Sequence, residues 1–179
     1  MRYAGIGSTN TPPFICNRMT FLAKELETQD HILHSGGAPG ADLAFESGVV
    51  CKSNKRIFLP EEAWNSSDSL LYLEGIDSEL VKGAYNIVDL YHPAPLNLSP
   101  MGRKLMARNS FQVLGMDLES PVDFVICWTK NGKMVGGTSQ ALRIAMDYGI
   151  PIYNLANMSD TIDIFTKVLN GIEDNPLGL

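Results

Sequence analysis

Three glycine-bearing turns constrain this chain more than any other feature, because each lies between a short apolar run and an amphipathic stretch. They are Gly5-Ile6-Gly7-Ser8, Ser35-Gly36-Gly37-Ala38-Pro39-Gly40 and Gly136-Gly137-Thr138. A strand that runs through glycine into a helix is the junction of a βαβ unit, and a chain built from such units forms a parallel sheet.

The intervening sequence fits that alternation. Arg2 to Ile6 reads as the first strand, and Thr11 with Pro12 reads as the N-cap and first residue of a helix carrying Ile15, Met19, Leu22 and Leu26. His31 to His34 is the second strand, followed by a helix from the second glycine loop to about Ser53. Arg56 to Leu59 is the third strand, and the polar stretch Glu61 to Ser69 reads as loop. Leu80, Ala84, Ile87 and Tyr91 mark a helix, and Ser99-Pro100 opens another that stops before Gly115. Val122 to Cys127, the most apolar run, is expected at the sheet centre. A helix to Gly149, a strand over Ile150 to Asn154 and a closing helix through Ile172 complete the chain. The expected fold class is α/β, a Rossmann-like three-layer sandwich with a mostly parallel sheet and helices on both faces. With 179 residues and no repeat or linker, one domain over 1–179 is expected.

Composition narrows the function. Fourteen basic against twenty acidic residues give a net charge of −6, which disfavours a protein that coats nucleic acid by neutralising phosphates. No run approaches the roughly 18 to 20 apolar residues of a membrane span. A cytoplasmic protein without a membrane partner is expected. The three cysteines (Cys16, Cys51, Cys127) have no metal spacing and read as small hydrophobes among apolar neighbours. The three histidines form no ligand pair, so no metal is expected.

The turns themselves point to an anion. Ligands of open α/β sheets bind beyond the carboxyl ends of the strands. There glycine permits close backbone approach, and the first N–H groups of the following helix lack intrahelical partners. One such turn alone is more often only a turn. Three at one edge, with Gly7, Ser8, Ser35, Gly36, Gly37, Gly40, Gly136, Gly137 and Thr138, would make a phosphate cradle. The dinucleotide fingerprint is incomplete, since Asn10 stands where its last glycine would be, and there is no GxxxxGK[ST] loop.

Tyr3-Ala4-Gly5-Ile6-Gly7-Ser8, Ser35-Gly36-Gly37-Ala38-Pro39-Gly40-Ala41-Asp42, Arg108-Asn109 and Gly136-Gly137-Thr138 together resemble the SLOG superfamily. That group includes the Rossmann-like domain of DNA-processing protein A and the Lonely Guy phosphoribohydrolases. The chain is most similar to small stand-alone, often phage-borne members, which would place it in the host cytoplasm. Their WT…GGTxxAL segment corresponds to Cys127-Trp128-Thr129 through Leu142. The resemblance runs from Tyr3 to about Asn154. It implies that the second and third glycine loops bind the phosphate and ribose of a nucleotide, and that the helix bearing Arg103, Lys104, Arg108 and Asn109 faces the same pocket. It also implies a homo-oligomer. No cofactor beyond a nucleotide ligand is implied. Lys104 and Arg108, four apart on one helical face, either grip one phosphate together or form a solvated basic face.

The carboxylates separate binder from enzyme. Lonely Guy enzymes cleave the N-glycosidic bond of a nucleoside monophosphate with a glutamate in PGGxGTxxE. Aligning Gly137-Thr138 with its GT puts Ala141 at the glutamate position, and alanine cannot act as a general base. Asp42 and Glu46 are the candidate catalytic replacements, with Glu61 and Glu62 behind them. Asp42 either caps its helix or holds a ribose hydroxyl. Glu46 is either catalytic or paired structurally, and Glu61 and Glu62 either act as acids or are solvated loop charges. Trp64 either stacks on a base or closes the core. The expected function is sensing or sequestration of a nucleotide-like small molecule. The alternative is an N-glycosidic hydrolase or transferase.

Overall fold

The computed structural model describes residues 1–172; residues 173–179, the end of the span expected as one domain, lie outside them. Its six strands are β1 (Arg2–Gly7), β2 (Ile32–Ser35), β3 (Lys55–Leu59), β4 (Leu71–Tyr72), β5 (Phe124–Trp128) and β6 (Ile152–Asn154). They form one sheet in the order β4-β3-β2-β1-β5-β6, with every pair parallel. The helices are α1 (Pro13–Thr28), α2 (Ala41–Gly48), α3 (Ser78–Tyr91), α4 (Pro100–Leu114), α5 (Thr138–Asp147) and α6 (Met158–Asn170). The expected α/β sandwich is the observed one, and its sheet is wholly parallel.

The two-residue period of the strands distributes them between two cores. Tyr3, Leu33, Ile57 and Leu59 point to one face, where α1, α2 and α6 bring Leu22, Phe45 and Ile164. Ala4, Ile6, Val125, Cys127 and Phe58 point to the other, covered by α3, α4 and α5 through Val88, Phe111 and Ile144. Tyr3 anchors the first core by stacking on Phe124, with ring centroids 5.6 Å apart. Among the described residues no helix is long and apolar enough to cross a membrane.

Several boundaries differ from the sequence reading, each for a local reason. Thr11 does not cap α1. Pro13 disfavours helical ψ in the residue before it, so Pro12 is extended (ψ 144°) and the helix opens at Pro13. The Thr11 hydroxyl instead donates to the Ser8 carbonyl at 2.7 Å. Helix α2 stops at Gly48 rather than near Ser53, because the N–H groups of Val50 and Cys51 turn to the Glu27 carboxylate of α1. The stretch read as loop after Pro60 leads into β4, too short to show a period in sequence. β5 lies beside β1, one strand from the edge, so its apolar run reflects burial on both faces rather than a central place. Cys127 is buried as expected and Cys16 partly so, but Cys51 is exposed. Two helices have side-chain caps: Ser99 accepts from Gly102 N at the start of α4, and Asp77 accepts from Glu79 N and Leu80 N at the start of α3.

Candidate functional site

The strand order fixes where a crevice can open. The chain adds β2, β3 and β4 on one side of β1, then returns to place β5 and β6 on the other. The segment leaving β1 goes to the face of α1 and the segment leaving β5 to the face of α5, so the two diverge beyond paired strand ends. Ligands of open α/β sheets sit at such a switch point. A cavity of about 450 Å³ lies there, lined by both loops, the start of α2, Trp64 and one side of α4. Its volume falls in the range of small-molecule sites.

The first loop is held by its own backbone. Ser8 N donates to Trp128 O (3.1 Å), and the Ser8 carbonyl accepts from Thr11 N and from Ala41 N (3.2 and 3.3 Å). Ser8 Oγ accepts from Asn10 N at 3.1 Å. Gly7, Ser8, Thr9 and Asn10 all line the cavity.

The second loop divides in two. Ser35, Gly36, Gly37 and Gly40 do not line the cavity; they build the wall behind it. Ser35 Oγ donates to Gly5 O at 2.7 Å and ties β2 to β1. The Gly36 carbonyl accepts from Arg108 Nη1, and the Gly37 carbonyl from Asn65 Nδ2 at 2.9 Å. Gly40 has φ 81°, and a Cβ there would stand 2.6 Å from the Ser8 carbonyl oxygen, so its glycine lets the first two loops touch. Only Ala38, Pro39 and Asp42 of this segment face the cavity.

The third loop faces it fully. Gly136, Gly137 and Thr138 line it as α5 begins, with Ser139 N and Ser139 Oγ both bonded back to Gly136 O. Asn109 fixes the loop from α4, donating from Nδ2 to Gly137 O at 3.1 Å. Ala141 lines the cavity with a methyl group.

Charge enters the cavity through a buried pair. Arg108 Nη1 is 3.6 Å from Asp42 Oδ2, with side chains 8% and 3% exposed. Burial drives the Asp42 carboxyl up to about 6, against the pull of Arg108 and of the backbone at Ala38 and Gly7, while Glu46 pushes it further up. Burial also lowers the Arg108 guanidinium from its usual value, and Asp42 opposes that. Arg108 Nη2 donates to Asn109 Oδ1 at 3.2 Å. Arg108 Nε, Gln112 Nε2 and Trp64 Nε1 are buried without hydrogen-bond partners among the described residues, and all three residues line the cavity. Buried donors left open in this way await an acceptor.

Not every charge on α4 takes part. Arg103 turns to Asp89 (2.7 Å) and Lys104 to Glu74 and Glu61 (2.5 and 3.8 Å); neither lines the cavity. Lys104 and Arg108, one helical turn apart, therefore point to different partners, and only Arg108 lines the cavity. Of the acidic candidates only Asp42 reaches the cavity: Glu46 is directed to Lys55 at 3.8 Å, Glu61 to Lys104, and Glu62 is exposed. Among the lining residues that the sequence reading did not single out are Lys130 and Gln112. Lys130 follows β5 by two residues, where the strand-end rule would have found it. Gln112 lies one helical turn beyond Arg108 on the same face.

Fold and site thus define a parallel α/β protein with a cavity at its topological switch point that holds the buried Arg108–Asp42 pair. Comparison of the chain with family models, with curated proteins and with solved structures finds no match in any of the three. Among the described residues no group of His, Cys, Asp and Glu could hold a metal ion.

Proposed function

We propose that this chain is a SLOG-type protein that binds a nucleotide or nucleotide-derived small molecule, for sensing or sequestration. The observation that carries the reading is the cavity between the diverging β1 and β5 loops, with the start of α5 on one wall and buried Arg108 on another. The phosphate lies at the N–H groups of Gly137 and Thr138, within reach of Lys130, which has no ion pair among the described residues. The base lies toward Trp64, Leu105 and Met106, which give an apolar surface with one open indole N–H. Self-association belongs to the same reading and is checked by light scattering.

Calorimetry against AMP, GMP, CMP, UMP and ribose 5-phosphate tests it. Gly137 is exposed with helical φ of −61°, so Gly137→Phe fills the cavity mouth without straining the backbone. Binding of at least one nucleotide by the wild type, lost in a folded Gly137→Phe, is the expected result. Equal affinity in both proteins would overturn the reading.

One observation favours a second reading, hydrolysis of the N-glycosidic bond. A carboxyl titrating near 6 inside a cavity can donate a proton to a departing base and take one from water. Chromatography for free base after incubation with each nucleotide decides between them. Base release lost in Asp42→Asn with binding retained marks an enzyme; intact nucleotide marks a binder.

A further inference from the structure

A second cavity opens at the other end of the sheet. About 420 Å³ in volume, it lies over the amino ends of β1, β2 and β3, on the face covered by α3 and α4. The register Arg2↔Ile32 and His34↔Arg56 sets one arginine on each side of β2, displaced from each other by one two-residue step. All four side chains fall on the same face by the strand period. Phe58, Leu71, Leu80 and Met116 supply apolar walls, and Asp117 and Ser120 complete the rim.

The arginines are not consumed by structure. Neither has an ion pair among the described residues, and Arg56 uses only Nη1, on the carbonyls of Ser53 and Lys55. The one acidic side chain on the rim, Asp117, turns into its own loop. Its carboxylate accepts from Glu119 N, Ser120 N and Ser120 Oγ at 3.0, 2.9 and 2.6 Å. Asp123 nearby is engaged by the backbone N–H of Arg2 at 2.6 Å. Between the arginines lies His34, 4% exposed, with a buried Nδ1 that has no hydrogen-bond partner among the described residues. Burial, then the Arg2 charge, then Arg56 outweigh the nearby carbonyls of α4 and hold its imidazole down at about 4. The ring is neutral at neutral pH, so the cavity presents two guanidinium groups without ion pairs among the described residues, with the Asp117 carboxylate on its rim, beside an apolar pocket and one open polar atom.

We propose that this amino-edge cavity is a second ligand site, for a small organic anion with an apolar body. Two guanidinium groups recognise the acid group, since arginine pairs with planar oxyanions through forked N–H donors. Phe58, Leu71, Leu80 and Met116 take the body. Purely inorganic anions leave the apolar wall uncovered, and neutral apolar molecules leave the arginines unpaired. The site is separated from the switch-point cavity by the length of the strands and does not depend on what binds there.

Hexanoate is the probe, followed by ¹H–¹⁵N correlation spectra of the full chain, with inorganic phosphate and 1-hexanol as comparisons. The expected result is saturable shifts confined to Ile32–His34 and Gly115–Ser120, with both comparison molecules binding at least about tenfold more weakly. Loss of charge-assisted contacts in Arg2→Gln/Arg56→Gln should weaken hexanoate by about tenfold or more. Because Arg2 begins β1, the exposed Arg56→Gln alone serves if the double variant does not fold. Leu80→Trp, which fills the pocket and keeps both charges, should also abolish the shifts. The proposal is overturned if hexanoate produces no saturable shifts there, if phosphate matches it, or if folded Arg56→Gln binds it as the wild type does.

Discussion

Replacing Gly36 by alanine tests how the candidate site is built. A Cβ at this position would lie closer than 3.0 Å to Arg108 Nη1, Arg108 Cζ and Gln112 Nε2. The backbone of Gly36 is not left-handed, so the cost is steric and falls on those two side chains. Arg108 must withdraw from the Gly36 carbonyl and from Asp42, its only counter-charge in the cavity. A hydrogen bond from a charged group contributes about 1.5–3 kcal/mol net, and overpacking costs about 1–3 kcal/mol. A loss of about 3 kcal/mol follows, or a fall in Tm of about 6–12 °C for a chain of this size. Gly136→Ala is the control: φ is 74° and nothing lies within 4 Å, so only a left-handed backbone penalty of about 1–2 kcal/mol applies. Urea unfolding at pH 7 measures both. Adding Arg108→Ala to Gly36→Ala removes the clashing partner, so the double variant should lose less than the two single losses combined. The reasoning fails if Gly36→Ala unfolds within 0.5 kcal/mol of the wild type, on the order of a surface change, or if Gly136→Ala is the more damaging.

The Asp42 carboxyl gives a signed pH dependence. Its folded value of about 6 lies above the ordinary 3.8, so its contribution to stability is fully present below about pH 4 and is lost as pH rises through 6. At 1.36 kcal/mol per unit that is about 3 kcal/mol by pH 7, and the slope between pH 4 and pH 7 should be shallower by that amount in Asp42→Asn. Equal slopes in urea titrations of the two proteins would contradict the buried placement of Asp42. Thiol alkylation should proceed in a fixed order. Cys51 is exposed, and the Ser53 hydroxyl lowers its thiol, whereas burial pushes Cys127 up to about 12. Mass spectrometry at pH 8 should find Cys51 modified first and Cys127 protected until urea unfolds the chain. Early labelling of Cys127 would refute the packing of β5.

The legible parts of the sequence were those governed by period and by glycine. Short apolar runs gave β1, β2, β3 and β5 to within a residue or two, and Ser99-Pro100 marked the start of α4. What one glycine does is less legible than where it sits. Gly36 and Gly40 look like phosphate contacts in sequence, yet one makes room for Arg108 and the other for the Ser8 carbonyl. Both partners are supplied by distant segments, so no local pattern announces them. The same holds for α4. Arg103, Lys104 and Arg108 are equivalent as a basic run, but Asp89, Glu74 and Asp42 divide them by position in space. β4 escaped because two residues cannot display a period.

The pairing of β1 with β5 has a consequence for the order in which the molecule comes into being. Arg2 and Asp123, which bond across that junction, are 121 residues apart. Strands β1 to β3 join near neighbours in sequence, whereas β5 must close a loop that contains α1 through α4 before it meets β1. Closing a long loop precedes any return from the contacts it allows, so pairing of this kind is slow. During synthesis the ribosome delivers β1, β2 and β3 early, and the open edge of β1 waits unpaired until Phe124–Trp128 emerges. The switch-point cavity has one wall on each side of that junction. It therefore comes into existence only once that long-range pairing is made, and occupancy of the cavity reports that β5 has joined β1.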